Sequence, residues 1–379
     1  MHPFTTKSIC FIGSDNYPVI DPEYGNSYIG GESVQQTLIA KAFTKHGYQV
    51  SMIVLDHGQP DGNVIKNITI WKTCSKSAGL PIIRFIYPRA TSLWAALKKA
   101  NAQIYYQSCA GAQTGIVALF CRIYNRKLVF RIAHDTDCIP DQEIITYKRD
   151  KIIYQYGLRK AHLVVAQSEQ QRVLLNDNYG IDAPIINMAV ETPENTKIDR
   201  DIDILWVNNI RDFKRPDLLV VLAKMNPHLN IVMIGGVCAG SEELFEKITK
   251  DASEVDNLDY KGFVPYHMVN GYYQRCKLFV NTSDTEGFPN SFLQSWIRGT
   301  PVISFFDPDG TIEREKIGAS PNTIEDMSIS INNLMDGGQR YDEMSIKARV
   351  FAVKHYAAET VAGEYISYFS KCGILEDEK

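Results

Sequence analysis

Residues Asn281–Phe306 read NTSDTEGFPNSFLQSWIRGTPVISFF, and the order strand, loop, helix, strand within them decides the fold. Leu278–Asn281 is a short apolar run that ends in polar turn residues, and Asp284–Phe288 is the loop. Pro289 and Asn290 suit a helix start, proline in the first turn and asparagine as a cap. The helix is expected to reach about Arg298, where Gly299 stops it, and Pro301–Phe305 to form a second buried strand. Phe292, Leu293, Trp296 and Ile297 share one face. Ser291, Gln294, Ser295 and Arg298 follow helical spacing as a polar stripe, expected to face solvent or a cleft. Glu286 and Gly287 stand between a strand's carboxyl end and a helix N-terminus. Open α/β sheets bind ligands there, and free N–H groups with the helix dipole favour a phosphate. A carboxylate beside an anion site needs another contact, and sugar hydroxyls supply one.

This segment resembles the signature of retaining glycosyltransferases of family 4, whose fold is the two-domain GT-B. The family pattern is E-G-F-x-x-x-x-x-E, followed by a G-T-P-V-I strand. Glu286-Gly287-Phe288-Pro289-Asn290 and Gly299-Thr300-Pro301-Val302-Ile303 carry the resemblance, with Gln294 at the second glutamate. The resemblance implies that Glu286 contacts the donor sugar and that position 294 holds the ribose hydroxyls, where a glutamine both accepts and donates.

A second stretch supports it. Trp206–Leu219, WVNNIRDFKRPDLL, resembles the family's G-R-x-x-x-x-K-G-x-D-L-L segment, whose arginine and lysine clamp the diphosphate. Lys214 takes the lysine position and Asn209 the arginine position, with Arg211 two residues on. Gly262-Phe263-Val264 resembles the loop that holds the base through main-chain contacts. Gly30-Gly31, before an apolar-periodic helix over 33–46, resembles the family's glycine loop at the donor phosphate and acceptor. Taken alone, such a pair is more often a turn. His134, in Arg131-Ile132-Ala133-His134-Asp135, sits at a strand end where the family carries a histidine near the transferred sugar. Asp135 is read either as orienting its ring or as a helix cap. Ser168 is read as a helix cap or a ligand contact.

The rest of the chain fits two alternating halves. Its 379 residues are 45% hydrophobic and 22% charged, which is enough for two cores. Strands are expected over 8–12, 49–54, 103–106, 127–132, 163–166 and 185–188, then 204–207, 230–234 and 258–261, with helices between them. The expected fold is α/β, GT-B, two Rossmann-like domains facing across a cleft. The domains are 1–190 for the acceptor, a linker at 191–201, 202–355 for the nucleotide sugar, and a final helix over 356–379. By the resemblance, that helix crosses back to the first domain. A glycine fingerprint for dinucleotides is missing after Ile12, which disfavours an oxidoreductase.

Eight scattered cysteines without C-x-x-C spacing suit a reducing compartment better than disulfides or zinc. The apolar run Ile9–Ile12 is too short for a signal peptide, and no stretch approaches a membrane span. The expected localisation is cytoplasmic, peripheral on the inner membrane face. Charge is uneven: residues 62–134 hold 11 Lys+Arg and no Asp or Glu, against a net charge of −4 for the chain. That run reads equally as a solvated face or as a surface for anionic lipid or substrate. Nucleic acid is not expected at a pI near 6.1.

The expected activity is therefore retaining transfer of a hexose from a UDP- or GDP-sugar to a saccharide or lipid-linked saccharide, with no metal and no cofactor. His134, Glu286 and Lys214 are the expected catalytic residues. The donor site adds Gly30, Gly31, Asn209, Arg211, Gly262, Phe263, Val264, Gly287, Phe288, Pro289, Asn290, Ser291 and Gln294. The alternatives are a nucleotide-sugar-binding protein without transferase activity, and another GT-B enzyme such as an epimerase or phosphorylase. A phosphorylase would need a pyridoxal-phosphate lysine, which nothing singles out.

Overall fold

Two parallel sheets, each with its own core, organise the chain. The computed structural model describes residues 7–24, 30–80, 83–193, 198–238, 240–285 and 288–375. Contacts divide the chain into one unit of Met1–Ala189 with Ala358–Lys379, and a second of Val190–Ala357.

The first unit contains β1 (Ser8–Ile12), β2 (Gln49–Val54), β3 (Asn63–Ile65), β4 (Ile68–Lys72), β5 (Ile104–Ser108), β6 (Lys127–Arg131) and β7 (Leu163–Val165). Their order is β3-β4-β2-β1-β5-β6-β7, parallel except for β3. Ile9 pairs with both Val50 and Ile104, so β1 lies at the centre. Every residue of β1 is buried, as a parallel strand covered by helices on both faces requires. The helices Ala112–Tyr124 and Lys148–Lys160 pack very closely. A Cβ on Gly157 would lie 2.7 Å from the Thr114 carbonyl oxygen, so only glycine permits that approach. The final helix, Ala358–Lys371, packs on the helix Gly31–Lys45. Phe369 stacks on Phe43 at 5.9 Å, and Lys45 pairs with Glu359.

The second unit contains β8 (Ile202–Val207), β9 (Ile231–Ile234), β10 (Leu258–Tyr260), β11 (Cys276–Asn281), β12 (Val302–Ser304) and β13 (Gly318–Ala319). Their order is β10-β9-β8-β11-β12-β13, all parallel. Trp206, Leu219, Met233, Val280 and Ile331 share one core. Each such buried side chain contributes roughly 1.5–3 kcal/mol. The chain winds outward from β8 in one direction and then returns to wind outward in the other. The order therefore reverses between β8 and β11, and loops at the carboxyl ends of those strands flank a crevice suited to ligands.

Several expectations change. The 63–72 stretch forms a hairpin that the sequence reading left out. Residues 185–188 form no strand: a single bridge joins Ile185 to Ala166. The helix after the central loop spans Asn290–Trp296, and Pro289 rather than Asn290 occupies its cap. Its polar stripe is largely internal: Gln294, Ser295 and Arg298 are buried. Asp201 and Asp203 pair with Arg275 and Lys277, at the starts of the neighbouring strands β8 and β11. Among the described residues no helix is long and apolar enough to cross a membrane, and no cluster of three or more His, Cys, Asp or Glu could hold a metal ion.

Candidate active site

In the second unit the loops that follow β8, β9 and β10 are laced together by main-chain bonds. Asn208 N–H donates to the Ile234 carbonyl at 3.1 Å and Ile210 N–H to Gly236 at 3.0 Å. Gly235 N–H donates to the Gly262 carbonyl at 2.9 Å, and the Tyr260 hydroxyl to the Gly235 carbonyl at 2.8 Å. A Cβ on Gly235 would sit 2.2 Å from the Asn208 carbonyl oxygen, so glycine alone fits there. The exposed Phe263 ring covers Gly236, 3.3 Å from where a Cβ would stand, and Gly262 before it has φ +63. Val264 follows in the same loop.

Lys214 ends a short 3-10 turn, Asp212–Lys214, that is tied to the carboxyl end of β11. The Thr282 hydroxyl lies 2.9 Å from both the Lys214 and Arg215 carbonyls, and the Trp206 indole N–H donates to Thr282 Oγ1 at 2.9 Å. Asp284 N–H donates to the Phe213 carbonyl at 2.9 Å. The Lys214 turn and the strand leading to Glu286 are thus fixed to each other at the sheet's reversal point. Glu286 and Gly287 themselves lie outside the described residues. Lys214 is half-buried, with Nζ 5.0 Å from the Phe213 ring centroid. Arg211 is exposed, and its Nε lies 3.4 Å from Cys238 Sγ in the loop after β9. Asn209 is half-buried beside Asn208, whose Nδ2 is buried and finds no partner among the described residues. The sequence reading passed over Asn208, since one asparagine after a strand carries no pattern.

Phe288 stacks on Tyr356 at 5.4 Å, and Pro289, Asn290 and Ser291 open the helix. Gln294 Oε1 is already taken: Arg298 Nη1 donates to it at 2.8 Å, while Nη2 donates to Asn270 at 3.1 Å. Burial lowers the pKa of the Arg298 guanidinium, yet its contacts with Tyr273 and the two amides keep it in place. The Gln294 amide nitrogen is left as the group that could meet a ligand. Arg200, also missed, gathers the chain beneath this helix, with Nη1 3.1 Å from the Cys276 carbonyl and from Thr300 Oγ1 and 3.0 Å from the Tyr341 hydroxyl.

In the first unit the strand order reverses between β1 and β5. Gly30 caps the helix Gly31–Lys45 in an extended conformation, and among the described residues nothing lies within 4 Å of where its Cβ would be. Below it, Asn16 Nδ2 donates to Gln36 Oε1 at 2.8 Å, and Gln36 in turn bonds Ser108 at the end of β5. Glu32, in the helix's first turn, accepts from the wholly buried Arg131 at 3.2 Å. Arg131 Nε and Nη2 and Glu32 Oε1 have no hydrogen-bond partner among the described residues. Burial raises the Glu32 pKa, and the Arg131 charge opposes this only in part.

His134 follows β6 and is exposed. Its Nδ1 accepts the Thr136 N–H at 3.2 Å, and its own N–H donates to Asp137 Oδ2 at 3.1 Å, which makes His134 the cap of the next turn. Accepting at Nδ1 places the neutral ring's proton on Nε2. Asp135 does not orient this ring; it accepts from Gln171 Nε2 at 2.9 Å. Ser168 caps the helix Glu169–Tyr179, accepting the Gln171 N–H at 3.2 Å.

Two Rossmann-like parallel-sheet units define the GT-B fold of glycosyltransferases. Residues 189–351, which fall almost wholly in the second unit, match the profile of the family Glycosyl transferases group 1. Among curated proteins, the O-antigen biosynthesis glycosyltransferase WbnH of Escherichia coli is 27% identical over 203 residues. That alignment spans 51% of this chain and 56% of WbnH, so the chain covers little more than half of that relative's length. An uncharacterized glycosyltransferase of Haemophilus influenzae is 23% identical over 89% of this chain and 95% of its own. Among solved structures, sucrose-phosphate synthase from Thermosynechococcus elongatus superposes with a TM-score of 0.71 at 14% identity, over 96% of this chain and 98% of that one. Anabaena HepE, solved with UDP and glucose, gives 0.65 at 14% identity, over 96% and 100%.

Proposed function

We propose that the protein is a retaining glycosyltransferase that moves a hexose from a UDP- or GDP-sugar to a saccharide or lipid-linked saccharide. The observation that carries this reading is the Lys214 turn bolted through Thr282 to the carboxyl end of β11. Breaking the anomeric C–O bond leaves negative charge on a diphosphate. Lys214, with Arg211 standing in for the arginine replaced by Asn209, would meet that charge from fixed positions. Because those cations would neutralise the leaving group, the proposed reaction uses no metal. The acceptor hydroxyl would attack on the face from which the diphosphate departs, and a diphosphate oxygen would take its proton.

Glu286 would hold the sugar hydroxyls, and His134 would donate its Nε2 proton to the sugar as a hydrogen bond. Phe263 and the main chain of Gly262–Val264 would hold the base, and Gly30-Gly31 the phosphate and acceptor. Phe288–Ser291 would border the donor. At the ribose, the Gln294 amide nitrogen would donate to a hydroxyl in place of the family carboxylate. Residence on the inner face of the membrane belongs to the same proposal.

One observation favours a second reading, a nucleotide-sugar-binding protein without transfer. Two family positions, 209 and 294, lack their charge, and the Gln294 oxygen is occupied by Arg298. Thermal-shift screening against UDP- and GDP-sugars, followed by donor-consumption assays on the sugar that stabilises, tests both. Stabilisation with sugar release supports a transferase, stabilisation without turnover supports the second reading, and no stabilisation by any nucleotide sugar refutes both.

A further inference from the structure

In the first unit, large apolar side chains point outward in the middle of the basic run. Ile86 and Tyr87 are 66% and 68% exposed, and Ile83 is exposed beside them. Arg84 and Arg89 alternate with these residues. Phe85 turns the other way and lines a cavity of about 430 Å³. The Arg149 guanidinium lies 3.6 Å from the centroid of the Phe85 ring. That contact brings the start of the helix Lys148–Lys160 to the same edge, with Tyr147 and Ile152 exposed on it and Lys148 and Lys151 close by. Two acidic groups line the cavity, Asp15 beside the end of β1 and Asp150, and Asp150 is paired with Arg149 at 2.7 Å. The cavity opens among these elements: Lys76, Phe85, Arg89 and Asp150 line it, over a floor at the carboxyl ends of β1 and β2.

Exposed aliphatic side chains are ordinary when scattered and informative when grouped. Protein–protein interface cores are depleted in lysine, whereas here lysine and arginine are interleaved with isoleucine and tyrosine. Nucleic acid would use the cations and leave the isoleucines unexplained. A bilayer with anionic headgroups takes both: the apolar side chains enter the headgroup–acyl boundary, tyrosine sits at the interface, and the cations meet phosphates.

We propose that this face of the first unit docks on an anionic lipid bilayer, so that the Lys76–Arg89 mouth of the cavity lies at headgroup level. Resting on the transferase reading above, the cavity then takes the anionic head of a lipid-linked acceptor. The docking itself does not depend on that reading.

Flotation of the full chain with phosphatidylglycerol vesicles and with phosphatidylcholine vesicles tests the proposal. The wild type is expected to float with the anionic vesicles at least tenfold more than with the neutral ones, and to be released by 0.5 M salt only in part. The double variant Ile83→Glu/Ile86→Glu is expected to lose at least tenfold of the anionic partition. Its thermal shift with a nucleotide sugar should persist, because neither residue is among those proposed to hold the donor. Absence of flotation by the wild type, equal flotation with both lipids, or undiminished flotation of the variant overturns the proposal. So does a wild-type dimer that the double substitution converts to a monomer without any vesicle binding, which assigns the face to a second copy. Failure of the nucleotide shift alone refutes the transferase reading and leaves docking standing.

Discussion

Replacing Arg131 with methionine tests the buried charge beneath the Gly30–Gly31 turn. Arg131 is fully enclosed, and among the described residues its ion-pair partner is Glu32 at 3.2 Å. Methionine fills a similar volume but leaves the Glu32 carboxyl facing an apolar wall. Removing one member of a buried pair typically costs about 3–5 kcal/mol. The cost should depend on pH. Burial already holds the Glu32 pKa above its ordinary 4.5, and Arg131 pulls it down. Without Arg131 it rises further. A carboxyl whose folded pKa exceeds its unfolded one stabilises the protein fully below the unfolded value, and that stability is lost as pH rises through the folded value. In the variant, stability should therefore fall with pH from about 4.5 upward, by up to about 1.4 kcal/mol per pH unit, over a wider window than in the wild type. Thermal melts at pH 5.5 and pH 8 measure it: the gap in Tm between variant and wild type should be clearly larger at pH 8. An equal gap at both pH values would mean that the loss is one of packing alone and would refute the electrostatic reasoning.

Other expectations follow from the second unit. Lys214→Ala should lower turnover about 10²- to 10³-fold, roughly 2.7–4 kcal/mol of transition-state stabilisation, with an unchanged circular dichroism spectrum. Glu286→Ala should also reduce turnover strongly, and near-normal rates in both purified variants would remove them from the site. Gly235→Ala forces a methyl group against the Asn208 carbonyl and should cost about 1–3 kcal/mol while weakening nucleotide-induced stabilisation. Arg200→Ala strips five hydrogen bonds, to the Cys276, Arg298 and Gly299 carbonyls and to the Thr300 and Tyr341 hydroxyls, and should cost about 2–3 kcal/mol in urea unfolding, with donor affinity affected less than stability.

The hairpin shows why part of the chain was illegible. Lys66 and Asn67, at φ +50 and +63, form its two-residue turn. Turns of that kind are usually announced by glycine, which is missing there, so no local sign marks the hairpin. Arg131 reads in sequence as a strand-end cation, and only the enclosing helices make it a buried ion pair. Arg298 likewise fits a solvent-facing stripe by helical spacing, but the fold turns it inward onto Gln294 and Asn270. Asn208 carries no motif at all, and its buried amide, unpartnered among the described residues, emerges only from the lacing of three loops.

The sequence by itself determined the alternation of strand and helix, the two-unit fold class, and the stretches around Lys214 and Glu286. Those depend on local periodicity, on helix starts and stops, and on turn residues, all of which act over a few positions. Tertiary structure alone decided which polar side chains are buried, which hydrogen-bond to one another, and which face solvent. Such properties depend on what packs against a residue from distant parts of the chain, and a linear pattern holds no record of that.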